Sequence, residues 1–279
     1  MRRTAFFTVC GALAAGASRA SAATPVAAFD GRTTVPVVRA RVGTRDLTLV
    51  IDTGDALSTL SESAADAIGL VKTTPASNKP VTGMLTGVTL AGSVLRSHTA
   101  IVTPAASWSQ LIGFAVDGSL GYDAFKDRVV TLDFKNRRLF FPDVMPEGER
   151  ASITWMKYHD RSPQLVTFEG LSVDATPLVT QLDTAMAKTA ILFTTKLPDV
   201  TILPEAKAPL YTYEEAALAP GRVGSLRLGR TLLAASPLVY AAGANAHVPT
   251  TAINAVAGDQ LFAQRAVTID FPGSTLIVS

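Results

Sequence analysis

Two short stretches carry residue types that could do chemistry. The first is Asp52-Thr53-Gly54-Asp55, which follows the apolar run Leu47-Thr48-Leu49-Val50-Ile51. The second is Asp183-Thr184-Ala185, which follows Leu178-Val179-Thr180-Gln181-Leu182. One Asp-Thr-Gly is weak evidence, because Asp and Gly are common turn formers. Two Asp-Thr triplets at the ends of matching strand-like runs carry more weight. Two carboxyls held face to face cannot both ionise cheaply, so Asp52 and Asp183 would share one proton. The ionised member can take a proton from a bound water while the protonated member polarises a peptide carbonyl, with the roles exchanging as the intermediate collapses. That chemistry needs no metal, no cofactor and no covalent nucleophile.

The elements that must position the pair are written twice in the chain. Gly118-Ser119-Leu120-Gly121-Tyr122-Asp123-Ala124-Phe125 precedes a hairpin pattern over Arg128 to Phe141, and Ala255 to Phe262 precedes another over Arg265 to Val278. Each apolar run ends in a glycine, Gly121 or Gly258. The hairpin turns fall at Lys135-Asn136 and Pro272-Gly273-Ser274, between alternating apolar strands. Upstream, Gly87 to Val102 parallels Gly224 to Tyr240, each a strand pair about a glycine-containing turn. Asp52 lies 69 residues before Gly121, and Asp183 lies 75 before Gly258. Four matched blocks in one order predict an all-β chain of two homologous lobes, 23–150 and 151–279, joined through the charged stretch Pro142 to Arg150. A pseudo-two-fold would set Asp52 opposite Asp183 in an interlobe cleft. Ser61 to Gly69 reads as a helix, with Ser61 as N-cap and Gly69 as terminator.

The N-terminus reads MRRTAFFTVCGALAAGASRASA, with Arg2-Arg3, a short apolar run and Ala20-Ser21-Ala22. This predicts a secretory signal peptide over 1–22, too short to make a good membrane span. Phe6 falls one position late for twin-arginine export, and Cys10 reads as an ordinary residue of the apolar run. Removing the leader takes three of the 25 basic residues and none of the 23 acids, so the net charge falls from +2 to about −1. Neither a nucleic-acid partner nor a membrane after signal cleavage is implied. The one cysteine leaves with the leader. A disulfide-free core is therefore expected to stabilise a monomer in the bacterial periplasm or outside the cell. About a dozen residues separate the leader from a first lobe strand near Val35, which leaves no room for a long inhibitory prosegment.

With these motifs the chain resembles the pepsin-like and retropepsin-like aspartic proteases, in their two-lobed, single-chain bacterial form. The resemblance rests on the triplets at 52–54 and 183–185, the apolar-glycine elements ending at Gly121 and Gly258, and the hairpins around Asp133 and Asp270. It covers nearly all of the chain after the leader. It implies a pepsin-like fold and an aspartic endopeptidase, with Asp52 and Asp183 as the catalytic pair and Thr53 and Thr184 interlocking between the lobes. By the same resemblance, Gly54 and Ala185 supply N–H groups to the carboxylates. The substrate would be a peptide or protein bound extended across the cleft, with large apolar side chains beside the scissile bond.

Three residues or stretches depart from that pattern. Ala185 stands where the family has glycine, which matters if the backbone there needs φ > 0. The first-lobe stretch Thr73 to Thr86 has no flap tyrosine, whereas Tyr211 and Tyr213 occupy the matching region of the second lobe. Asp55 stands where a small or hydroxyl residue is usual, and in the repeat it aligns with Met186. It either turns to solvent, pairs with a cation such as Arg45, or acts as a third charge that raises the pair's pKa. These departures keep a second reading open, that of a catalytically impaired pepsin-fold protein binding peptides or a partner in the periplasm.

Other chemistries have less to stand on. His98, His159 and His247 are scattered and have no metal-ligand spacing. Ser119, in Asp117-Gly118-Ser119-Leu120-Gly121, falls one residue short of a nucleophile elbow, and the repeat accounts for it. Asp133 and Asp270 recur at equal positions, where turn hydrogen bonding explains both.

Overall fold

The computed structural model describes residues 24–73, 79–103, 106–158, 161–197, 199–205, 211–213, 216–243 and 252–279. The expected leader, His159, His247 and residues 74–78 of the expected flap lie outside the described residues. The protein is mostly β, with two α-helices among the described residues, α1 (Glu62–Ala67) and α2 (Ala106–Ile112). Neither is long and apolar enough to cross a membrane.

The expected repeat reappears as strand topology. In the first half, β1 (Arg45–Ile51), β2 (Ser58–Ser61), β3 (His98–Thr103) and β4 (Gly118–Leu120) lie in one sheet. β1 runs parallel to β4, β2 is antiparallel to β4, and β2 runs parallel to β3. In the second half the matching strands are β5 (Thr176–Leu182), β6 (Ala190–Phe193), β7 (Leu238–Ala242) and β8 (Ala255–Ala257). β5 runs parallel to β8, β6 is antiparallel to β8, and β6 runs parallel to β7. Pairing direction is thus conserved at every step, and each triplet lies just beyond the end of β1 or β5.

Strand periodicity explains why these runs are buried on both faces. Leu47, Leu49 and Ile51 join the main core, while Val50 points the other way into a cluster with Val35, Val37, Val116 and Ala185. On β5, Leu178 and Leu182 likewise enter the main core. Each such apolar side chain is worth about 1.5–3 kcal/mol when fully buried. The two halves are stitched by their hairpins: strand Val129–Asp133 pairs antiparallel with Ala266–Asp270 and with Arg138–Phe140. An additional strand, Val26–Ala28, pairs with Arg138–Phe140 ahead of the first strand read from sequence.

Local signals acted as expected. The Ser61 hydroxyl accepts the Ala64 N–H at 3.1 Å to cap α1, and Gly69 takes φ +66° just past its end. Asp133 accepts bonds from the Asn136 N–H (3.0 Å) and from Arg138 Nε (3.0 Å), and Asp270 accepts from the Gly273 N–H (2.8 Å). Both carboxylates fasten turns.

Candidate active site

Each triplet sits in a loop passing beneath the glycine that follows β4 or β8. The Asp52 N–H donates to the Leu120 carbonyl at 2.9 Å, and the Asp183 N–H donates to the Ala257 carbonyl at the same distance. Past the glycine the chain bonds back to the loop: the Tyr122 N–H donates to the Asp55 carbonyl (2.9 Å) and the Asp259 N–H to the Met186 carbonyl (3.0 Å). Such an approach leaves no room for a side chain. A Cβ on Gly121 would lie 2.6 Å from the Leu57 carbonyl carbon, and one on Gly258 would lie 2.3 Å from the Met186 oxygen.

The carboxylates are held alike. Asp52 Oδ1 accepts the N–H groups of Gly54 (2.9 Å) and Asp55 (3.2 Å). Asp183 Oδ1 accepts those of Ala185 and Met186, both at 3.0 Å. The threonines cross between the halves. The Thr53 N–H donates to Thr184 Oγ1 (3.1 Å) and the Thr53 hydroxyl to the Leu182 carbonyl (2.9 Å). In return the Thr184 N–H donates to Thr53 Oγ1 (3.2 Å) and the Thr184 hydroxyl to the Ile51 carbonyl (2.7 Å). Thr53 and Thr184 are buried, so these bonds face no competition from water.

Ala185 does not take positive φ, and neither does Gly54. The glycine is needed for another reason: a Cβ on Gly54 would lie 2.6 Å from Asp183 Cγ and 2.9 Å from its Oδ1. The Ala185 methyl instead packs with Val35, Val37, Val50 and Val116. The two triplets therefore differ in what faces them and agree in what their backbones donate.

Asp52 and Asp183 line one cavity of about 390 Å³, together with Val35, Trp108, Ile112, Met186, Ile191 and Leu218. The lining is mainly apolar, with Thr33 and Lys188 as its other polar members. Burial raises the affinity of Asp52 for its proton, and the Asp183 and Asp55 charges raise it further against the two N–H bonds. Asp183 is pushed up to about 7 by burial first and then by the charges of Asp55 and Asp259. Both members of the pair thus hold protons well above the ordinary carboxyl range.

Asp55 is exposed, and its backbone N–H serves Asp52 just as Met186's serves Asp183. Their side chains diverge, because Met186 is buried against the cavity while Asp55 adds charge that reaches both carboxyls. Ser119 is fully buried and shares a hydrogen with Thr59 Oγ1 at 2.8 Å, so it is not exposed as a nucleophile. His98 is buried, with Nδ1 2.8 Å from the Arg96 carbonyl. Tyr211 and Tyr213 lie on a strand paired with Ala216–Arg222.

Sequence reading missed several contributors. Trp108 of α2 donates its indole N–H to Thr59 Oγ1 (3.0 Å), which fixes an aromatic wall of the cavity. Arg137 donates to the Asp30 and Thr33 carbonyls and so anchors the segment that brings Thr33 and Val35 to the site. Asp123 Oδ1 accepts both the N–H and the hydroxyl of Ser58, whose Oγ in turn accepts the Gly121 N–H. Asp259 is buried beside the pair, and burial pushes it up to about 6. Only Asp123 and Asp259, each within two residues of a repeat glycine, had a signal in the sequence. No family model and no curated protein matches this chain.

Proposed function

We propose that the chain is an aspartic endopeptidase of two-lobed, pepsin-like fold, with its active-site cleft between the lobes. The observation that carries this reading is the pairing itself. Two carboxyls, Asp52 buried and Asp183 partly buried, each held by two N–H groups of its own loop, with the loops tied across the halves by two threonines, line one apolar cavity. The repeated strand topology supports the two-lobed fold. The leader and the absence of cysteine after it support a periplasmic or secreted protein.

A peptide lying extended across the cavity places its scissile carbonyl between the two carboxyls. With one proton shared by the pair, the carboxylate takes a proton from water as the water oxygen bonds to the carbonyl carbon. The carboxylic acid gives its proton to the carbonyl oxygen, leaving a neutral gem-diol. Collapse returns a proton from the diol to one carboxylate and delivers one to the amide nitrogen, so the C–N bond breaks to release an acid and an amine. The apolar wall of Val35, Trp108, Ile112, Met186, Ile191 and Leu218 accommodates large apolar side chains beside that bond and keeps bulk water away.

Asp55 favours a second reading, a catalytically impaired peptide-binding module, because its charge resists ionisation of the pair. A titration with a statine-type peptide beside digestion of a mixed peptide library separates them. Tight binding with turnover supports the enzyme, tight binding without turnover at any pH supports the binding module, and the absence of both binding and turnover overturns both readings.

A further inference from the structure

The strands that deliver the two triplets differ at one buried position. Val50 lies two residues before Asp52 and is fully buried among apolar side chains. Its counterpart, two residues before Asp183, is Gln181, which is only 3 % exposed. A buried amide needs a reason, since an unpaired polar atom costs about 1–3 kcal/mol. Gln181 already bears that cost, because its Oε1 is buried without a hydrogen-bond partner among the described residues. Valine serves the equivalent place in the first half, so packing alone does not call for an amide.

The other end of the amide supplies the reason. Gln181 Nε2 reaches into the opposite half and donates to the Gly54 carbonyl at 3.2 Å. That carbonyl belongs to the same peptide group as the Asp55 N–H, which donates to Asp52 Oδ1 at 3.2 Å. The chain of contacts therefore runs from the Gln181 amide, through the Gly54–Asp55 peptide, to the Asp52 carboxylate. A hydrogen bond to the carbonyl polarises the peptide and strengthens its N–H as a donor. It also fixes the plane of a peptide that must stay clear of Asp183, to which Gly54 packs closely.

We propose that Gln181 is a positioning residue that holds and polarises the Gly54–Asp55 peptide, so that one half of the molecule supports the carboxylate carried by the other. No such amide supports the Ala185–Met186 peptide from β1, where the equivalent residue is Val50. An uncharged side chain thereby adds to the inequality of the pair. The charged groups acting on Asp52 are Asp183 and Asp55, those acting on Asp183 are Asp55 and Asp259, and Lys188 lines the same cavity. Gln181 adds no charge to this set and works through donor strength and geometry alone.

The catalytic consequence rests on the endopeptidase reading, whereas the effect on the carboxyls does not require turnover. The test is a carboxyl-carbon NMR titration of the full chain labelled at aspartate, wild type against Gln181→Met and Gln181→Leu, which keep bulk and remove the donor. The first ionisation of the pair is expected to move up by several tenths of a pH unit, with the acid limb of kcat/KM moving by the same amount and KM little changed. Unchanged titration in a folded variant overturns the proposal. In wild type, a through-hydrogen-bond coupling between Gln181 Nε2 and the Gly54 carbonyl carbon is expected, and its absence overturns the proposal even if neither variant folds. If wild type cleaves no peptide, the endopeptidase reading fails while the titration still decides the role of Gln181.

Discussion

Replacing Gly54 by alanine inserts one methyl where the two triplet loops pack against each other. The new Cβ would lie 2.6 Å from Asp183 Cγ, where ordinary contact begins at 3.4 Å, so about 0.8 Å must be found. The Gly54 side is tied by its N–H to Asp52 Oδ1 and by its carbonyl to Gln181. The Asp183 side is tied by the N–H groups of Ala185 and Met186. Either a carboxyl leaves its donors or the halves separate. Overpacking of this kind costs about 1–3 kcal/mol, and displacing a reacting group by about 1 Å costs on the order of 10²-fold in rate. Gly54→Ala should therefore lower kcat/KM on a cleaved peptide by about two orders of magnitude and lower Tm by roughly 3–10 °C. The reverse exchange, Ala185→Gly, removes a buried methyl but keeps the N–H that serves Asp183. It should cost about 1–2 kcal/mol of stability and leave kcat/KM within a few fold. Equal effects of the two exchanges on kcat/KM would refute the steric argument.

Asp55→Ser removes an exposed charge that raises both carboxyls, so the acid limb of the pH–activity profile should move down by about half a pH unit at low salt and by less at high salt. An unchanged profile would show that water screens Asp55 from the pair. Stability should depend on pH in an unusual direction. Asp183 and Asp259 are raised to about 7 and about 6, whereas carboxyls in the unfolded chain titrate near about 4, so the folded state binds the extra protons and loses stability as pH rises from about 4 to about 7. Asp133, held below the ordinary range by Asn136 and Arg138 despite its burial, acts oppositely and loses its contribution below about pH 4. Thermal unfolding across that range should place the highest Tm near about pH 4, with a shallower slope in Asp259→Asn; a Tm that climbs steadily to neutrality would contradict this balance.

The features legible in the sequence were those that occur twice. Strand order, the glycines under which the triplets pass and the hairpin turns were each marked by spacing or turn residues, and the single helix after Ser61 was the exception, marked by its cap. The pairing of Asp52 with Asp183 followed from their equivalent places in the repeat, and that same alignment set Asp55 apart beside Met186. What stayed hidden is what occurs once. Gln181 reads as one polar residue in an apolar run, and only three dimensions place its amide on Gly54. Trp108 comes from a short helix that lies outside the repeated motifs. The need for glycine at position 54 but not at 185 arises from the neighbour opposite, which lies 129 residues away in the chain. Contacts between halves leave no local pattern, so the burial of the pair and the charge of Asp259 beside it could not be read before folding.

The shared-proton mechanism requires that the two carboxyls act as one unit. That is measured by digesting a mixed peptide library from about pH 3 to about pH 8 with wild type, Asp52→Asn and Asp183→Asn, each shown to be folded by circular dichroism and thermal unfolding. Wild type should cleave beside large apolar residues, and each substitution alone should remove at least about 10³-fold of kcat/KM, because neither carboxyl can replace the other. Full cleavage by either folded variant would contradict the shared-proton pair.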